Sequence, residues 1–185
     1  MNVLWSYFWP VFAAGLVIGA IAGSVGFRSL IIRPKDPLAG DTLSFAHNQR
    51  RRRLALIAGF ATVLAAIALW HGPLGAADQY SSRVERGARQ ALDYYEMTKV
   101  TAQLQRQPLS RRLILKGPAD DFQRSELVRV LDQLPGVSSV SWSDQRRGLP
   151  LIGESALTAI AGFLLGLMLA YLVELRRRYN AQWKW

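Results

Sequence analysis

LPGVSSVSW, residues Leu134 to Trp142, has the grammar of a small water-soluble domain. A helix ends on Pro-Gly, and a strand follows in which small and apolar residues alternate. Yet the chain on either side of this region is apolar enough for lipid. The sequence of 185 residues is a mosaic: half of it is hydrophobic, its net charge is +10, and long uncharged segments alternate with strongly charged ones.

Val3 to Phe27, Leu54 to Ala77 and Ser155 to Val173 hold no Asp, Glu, Lys or Arg. A bilayer core of ~30 Å needs roughly 20 apolar residues in a helix, and each run is long enough. The first run has no basic n-region and exceeds the length of a signal-peptide h-region, so it reads as a retained span. Arg28, Arg33, Lys35 and Arg50-Arg51-Arg52-Arg53 lie between spans one and two, and Arg176, Arg177, Arg178 and Lys184 follow span three. The positive-inside rule places both groups in the cytoplasm. The N-terminus and the region from Asp78 to Leu149 then lie outside. That region is nearly balanced, with twelve basic and nine acidic residues. Trp5 to Trp9 and Trp70 would mark the outer interface, and Tyr171 and Tyr179 the inner one.

The expected organisation is therefore span one at 1–27, a basic cytoplasmic loop at 28–53, span two at 54–77, an outer-side domain at 78–150, span three at 151–175 and a basic tail at 176–185. The fold class is transmembrane α-helical with a small α+β insert.

Within the insert, Val84, Ala88, Ala91, Leu92 and Tyr95 recur at helical spacing. KVTAQLQ alternates, placing Val100, Ala102 and Leu104 on one face and Thr101, Gln103 and Gln105 on the other. A turn around Pro108 leads to a second strand, LILKG, with Leu113 and Leu115 inward. Asp120 or Asp121 caps a helix whose buried face is Leu127, Val130, Leu131 and Leu134. Val140 and Trp142 share one side of the closing strand. The order is helix, strand, strand, helix, strand.

In that order, and in LILKGPADD and LPGV, the segment from about Tyr80 to Ser143 resembles the BON domain, a small module of bacterial envelope proteins. It is also similar to the membrane-anchored BON segments that precede OmpA-like modules. The resemblance covers roughly a third of the chain. One copy is visible rather than the frequent two, and a third span stands where an OmpA-like module would follow. The resemblance implies a bacterial inner membrane carrying, on its periplasmic side, a non-enzymatic module that binds phospholipid or envelope proteins. Gly117 and Gly136 read as structural, at turns that call for positive φ.

Chemistry is sparse. With no cysteine, thiolate catalysis, disulfides and Cys-based metal sites are excluded. His47 and His71 have no second histidine or carboxylate at ligand spacing, and His71 reads as an interfacial polar residue. Asp120-Asp121 reads as a cap, and Glu154 and Glu174 as solvated carboxylates at the ends of span three. Span interiors without Asp, Glu, Lys, Arg or His argue against a coupled transporter. No cofactor is expected, and the basic residues point to lipid rather than nucleic acid.

Two sets of residues stand out instead. Gly15, Gly19 and Gly23 on helix one, and Gly162 and Gly166 on helix three, are spaced for close helix packing. Whether they meet each other or a foreign subunit stays open. Arg50 to Arg53 and Arg176 to Arg178 are the candidate lipid head-group contacts. The linker RPKDPLAGD reads as extended. The expected role is an accessory subunit of a larger inner-membrane complex of photosynthetic or respiratory type, docked through the glycine faces and capped by the BON-like domain. The alternatives are a free-standing lipid-binding or sensor protein and a transport component.

Overall fold

The computed structural model describes residues 3–28, 42–143 and 148–182. Its elements run α1 (Val3–Arg28), α2 (Thr42–His71), α3 (Ala76–Tyr94), β1 (Thr101–Arg106), β2 (Leu109–Lys116), α4 (Asp121–Leu131), β3 (Ser139–Ser141) and α5 (Leu151–Gln182). Among the described residues, three helices are long and apolar enough to cross a membrane: Val3–Phe27, Gln49–His71 and Leu151–Asn180. The linker 33–41 and Lys184 lie outside the described residues, as do the side chains of Arg28 and His47.

The chain divides into two compact units, residues 1–10 with 68–156, and 11–67 with 157–185. The first unit holds a three-stranded sheet in the order β1-β2-β3. β1 and β2 form an antiparallel hairpin, and β3 joins β2 in parallel after the α4 crossover, with Leu113 opposite Val140.

Each element follows from local chemistry. In α3, Tyr80, Val84, Ala88 and Leu92 form a fully buried i, i+4 stripe. The expected helix begins later than the observed one, which starts at Ala76, so the second span stops at His71 rather than residue 77. Gly72-Pro73 breaks the chain between them. Tyr95 leaves the stripe, because the helix ends at Tyr94. In α4, Asp120 Oδ1 accepts a 2.7 Å bond from Gln123 N while Gln123 Oε1 accepts from Asp120 N, a reciprocal cap worth about 1 kcal/mol. Leu127 and Leu131 of α4 are buried, whereas Val130 and Leu134 are only partly covered.

One strand departs from simple alternation. Gln105 was expected outward but is buried, because the register of β1 slips between Leu104 and Arg106. Its Oε1 accepts from Ser110 Oγ (3.1 Å) and from Gly148 N (3.0 Å), which pins the chain as it returns towards α5.

The core of this unit also takes in Tyr7 from α1 and Leu151 from α5, with Val3, Leu4, Phe8 and Trp70 packed against it. The domain is therefore not confined to residues 78–150. It is built together with the ends of the three apolar helices.

The second unit is a helix bundle. The pairs Gly15–Ala159, Gly19–Phe163 and Gly23–Ala170 rise together along the chain, so α1 and α5 run parallel. Gly59 of α2 packs on Ala22 and Phe163.

Candidate interaction sites

Four places in the molecule gather the residues that could support a function. The first is the glycine face. A Cβ added at Gly15 or Gly19 would strike the carbonyl oxygen of Ala159 or Phe163, and one at Gly162 or Gly166 would strike that of Phe12 or Leu16. The five glycines thus pair α1 with α5 within the chain. Backbones this close are held by dispersion and Cα–H···O contacts. The expectation that these faces dock a foreign subunit is corrected accordingly, because their surface is already occupied.

The second place is the basic end of the bundle. Arg50 to Arg53 lie on α2 rather than in a loop, since the helix starts at Thr42. Arg52 sits 5.4 Å from the centre of the Phe27 ring, and Phe27 packs edge-on against Tyr171 of α5. Arg178 Nε lies 3.6 Å from Glu174 Oε1. Residues from both arginine runs therefore reach the same end of the three helices. Glu174 corrects the reading of a solvated carboxylate, since its side chain is only 6% exposed.

The third place is a polar clamp in the first unit. Tyr7 Oη and His71 Nδ1 share a 2.7 Å hydrogen bond, and Trp70 Nε1 donates to the Tyr7 carbonyl at 3.2 Å. Trp70 and His71 are thus tied into the protein rather than serving only as interfacial markers. The Tyr7 ring packs 5.1 Å from that of Tyr80. Arg83 donates to Ser6 Oγ at 2.8 Å.

Gly136 is the pivot of the clamp. Its carbonyl accepts from Tyr80 Oη at 2.6 Å and from Arg111 Nε at 3.2 Å. Arg111 then pairs with Glu154 of α5 at 3.1 Å. That pair overturns the solvated reading of Glu154 as well. Gly136 has φ 104°, and a Cβ there would lie 2.9 Å from Val84 Cγ2, so both conformation and space require glycine. Burial pushes the Tyr80 hydroxyl up to about 12, an effect that Glu154 reinforces and Arg111 opposes. Tyr80 remains a neutral hydrogen-bond donor throughout the physiological range.

The sequence offers no periodic signal for this clamp. Tyr7 and Tyr80 are far apart in the chain, and each reads locally as an aromatic on an apolar stripe. Among the described residues, no cluster of His, Asp and Glu is arranged to hold a metal ion.

No family model, curated protein or solved structure matches this chain.

One further surface belongs to the first unit. Tyr94 and Phe122 are 82% and 75% exposed, and Tyr95 is 49% exposed. Tyr95, Met97, Phe122, Leu127 and Val130 line a shallow cavity of about 270 Å³. It lies at the other end of α3 from the clamp, roughly four helical turns or ~22 Å from Tyr80.

Proposed function

We propose that this chain is a non-enzymatic accessory subunit of a larger bacterial inner-membrane complex, of photosynthetic or respiratory type. Its three apolar helices span the bilayer with the arginine-rich end in the cytoplasm. The αββαβ unit is a BON-like module that caps the periplasmic side. The exposed edge of Tyr94, Tyr95 and Phe122 is the observation that carries this reading. Apolar aromatics gathered at one edge of an extramembrane domain suit contact with a partner protein. The clamp supports it too, because the cap shares its core with Tyr7 and Leu151 at the ends of α1 and α5.

Topology is tested by cysteine labelling of the otherwise cysteine-free chain. Gln49→Cys and Gln103→Cys, both at exposed positions, are expected to react from opposite sides of the membrane. Labelling from one side would end the three-span arrangement. The role is tested by extraction in mild detergent followed by mass spectrometry of what co-purifies. Wild-type protein is expected in a large complex, and Tyr95→Ser/Phe122→Ser is expected to be released from it while staying folded. Migration of the wild type as a single chain would favour the rival, a free-standing lipid-binding protein. That rival also predicts that the same double variant loses binding to phospholipid vesicles.

A further inference from the structure

Within the helix bundle, a second cavity of about 230 Å³ opens at the arginine-rich end between α1 and α5. Ser24, Phe27, Leu169, Val173, Glu174 and Arg177 line it. Glu174 is its unusual member. Oε1 of this carboxylate is buried, and among the described residues no hydrogen bond reaches it. Arg178 Nε, at 3.6 Å, supplies an opposite charge but is too distant to be a hydrogen-bond donor. A buried carboxylate oxygen without a donor is costly, and native proteins rarely leave one so.

The surroundings specify what would complete it. The floor is apolar, as acyl chains require. Ser24 Oγ donates to the Ile21 carbonyl, so its own lone pairs can accept a further hydrogen. Arg177, exposed at the rim, offers a fork suited to phosphate. A buried carboxylate, an exposed serine hydroxyl beside it, a cation at the rim and an apolar floor together complement a zwitterion carrying its positive charge on N–H donors.

We propose that this cavity binds the head group of an aminophospholipid, with the ethanolamine ammonium on Glu174 and Ser24 and the adjoining phosphate on Arg177. Choline carries no N–H to donate, and phosphatidylglycerol carries no cation. The site therefore discriminates by hydrogen-bond donors rather than by net charge. The proposal rests on the reading that these helices lie in a bilayer with this end at head-group level.

The test uses full-length protein in mild detergent with an equimolar mixture of dioleoyl phosphatidylethanolamine, phosphatidylcholine and phosphatidylglycerol, read by native mass spectrometry. Phosphatidylethanolamine is expected to be retained at one per chain, roughly tenfold over the other two, as one charge-assisted hydrogen bond implies. Glu174→Gln is expected to bring the ratio over phosphatidylcholine close to one. Arg177→Gln is expected to lower retention of all three lipids. Soluble phosphoethanolamine at the same concentration is expected not to displace the lipid, because it lacks the chains that cover the apolar floor. Equal retention of ethanolamine and choline lipids by the wild type would overturn the proposal without any variant. Persistence of the preference in Glu174→Gln, or equal competition by phosphoethanolamine, would also overturn it. Recovery of the chain in the aqueous fraction would instead remove the membrane reading, and this proposal with it.

Discussion

The two units of this molecule hold themselves together by opposite means. In the unit that carries the sheet, large side chains do the packing: Leu92, Leu104, Leu113, Leu115 and Leu131 are fully buried. In the helix bundle, the closest contacts are made by residues with no side chain, and glycine meets backbone along α1 and α5. The bilayer setting proposed for the bundle accounts for the difference. In water, burying a leucine removes apolar surface at roughly 25 cal/mol per Å², so bulk is favourable. Among lipid chains that gain vanishes, and attraction must come from close approach. The same two helices, α1 and α5, contribute to both regimes. Tyr7 and Leu151 enter an apolar core at one end, while Gly15, Gly19, Gly162 and Gly166 meet backbone, and Gly23 the Ala170 side chain, along the rest.

The sharpest way to break the comparison is a charge in the leucine core. Leu131→Asp is expected to cost ~4 kcal/mol or more, enough to unfold a small domain. Limited proteolysis should cut the region around α3 to β3 in the variant. Unchanged resistance there would mean that Leu131 is not core. Bulk added to the glycine interface comes next. Gly19→Leu is expected to destabilise the bundle by about 3 kcal/mol, since a side chain there would strike the Phe163 backbone. Thermal unfolding in detergent measures it, and an unchanged midpoint would contradict the close α1–α5 contact.

The clamp yields a smaller effect with a pH signature. Tyr80→Phe removes the 2.6 Å bond to Gly136 and is expected to cost about 1 kcal/mol at neutral pH. Because the hydroxyl titrates higher folded, at about 12, than unfolded, at 10.0, the folded state keeps its proton longer. The stabilisation is complete below pH 10 and is lost as pH rises through about 12. Denaturant titrations across this range should show a steeper alkaline loss in wild type than in Tyr80→Phe. Equal slopes would show that the hydroxyl is not buried as described. The smallest expected effect has the opposite sign. A Cβ at Gly87, inside α3, would meet no atom within 4 Å, so Gly87→Ala should stabilise by roughly 0.5–1 kcal/mol. A loss there would erase the contrast between a glycine that packs and one that merely costs helix propensity.

Much of the architecture was legible before any coordinates. The lengths of the apolar runs, the helix-strand-strand-helix-strand order, the Asp120 cap and the positive φ of Gly117 and Gly136 are local properties. They depend on periodicity, on nearby hydrogen bonds and on steric freedom, all of which a short window of sequence contains. The inward turn of Gln105 was not legible, because a register slip in β1 leaves no mark on alternation. Nor was the choice between an internal and an external partner for the glycines, since spacing fixes a face but not what meets it. The clamp of Tyr7, His71, Tyr80, Gly136, Arg111 and Glu154, and the buried carboxylate of Glu174, were decided by tertiary structure alone. Residues far apart in sequence meet there only once the helices and sheet have packed, and burial turns carboxylates that read as solvated into paired or unsatisfied groups. Periodicity assigns each residue to a face of its own element; only packing determines which atoms that face meets.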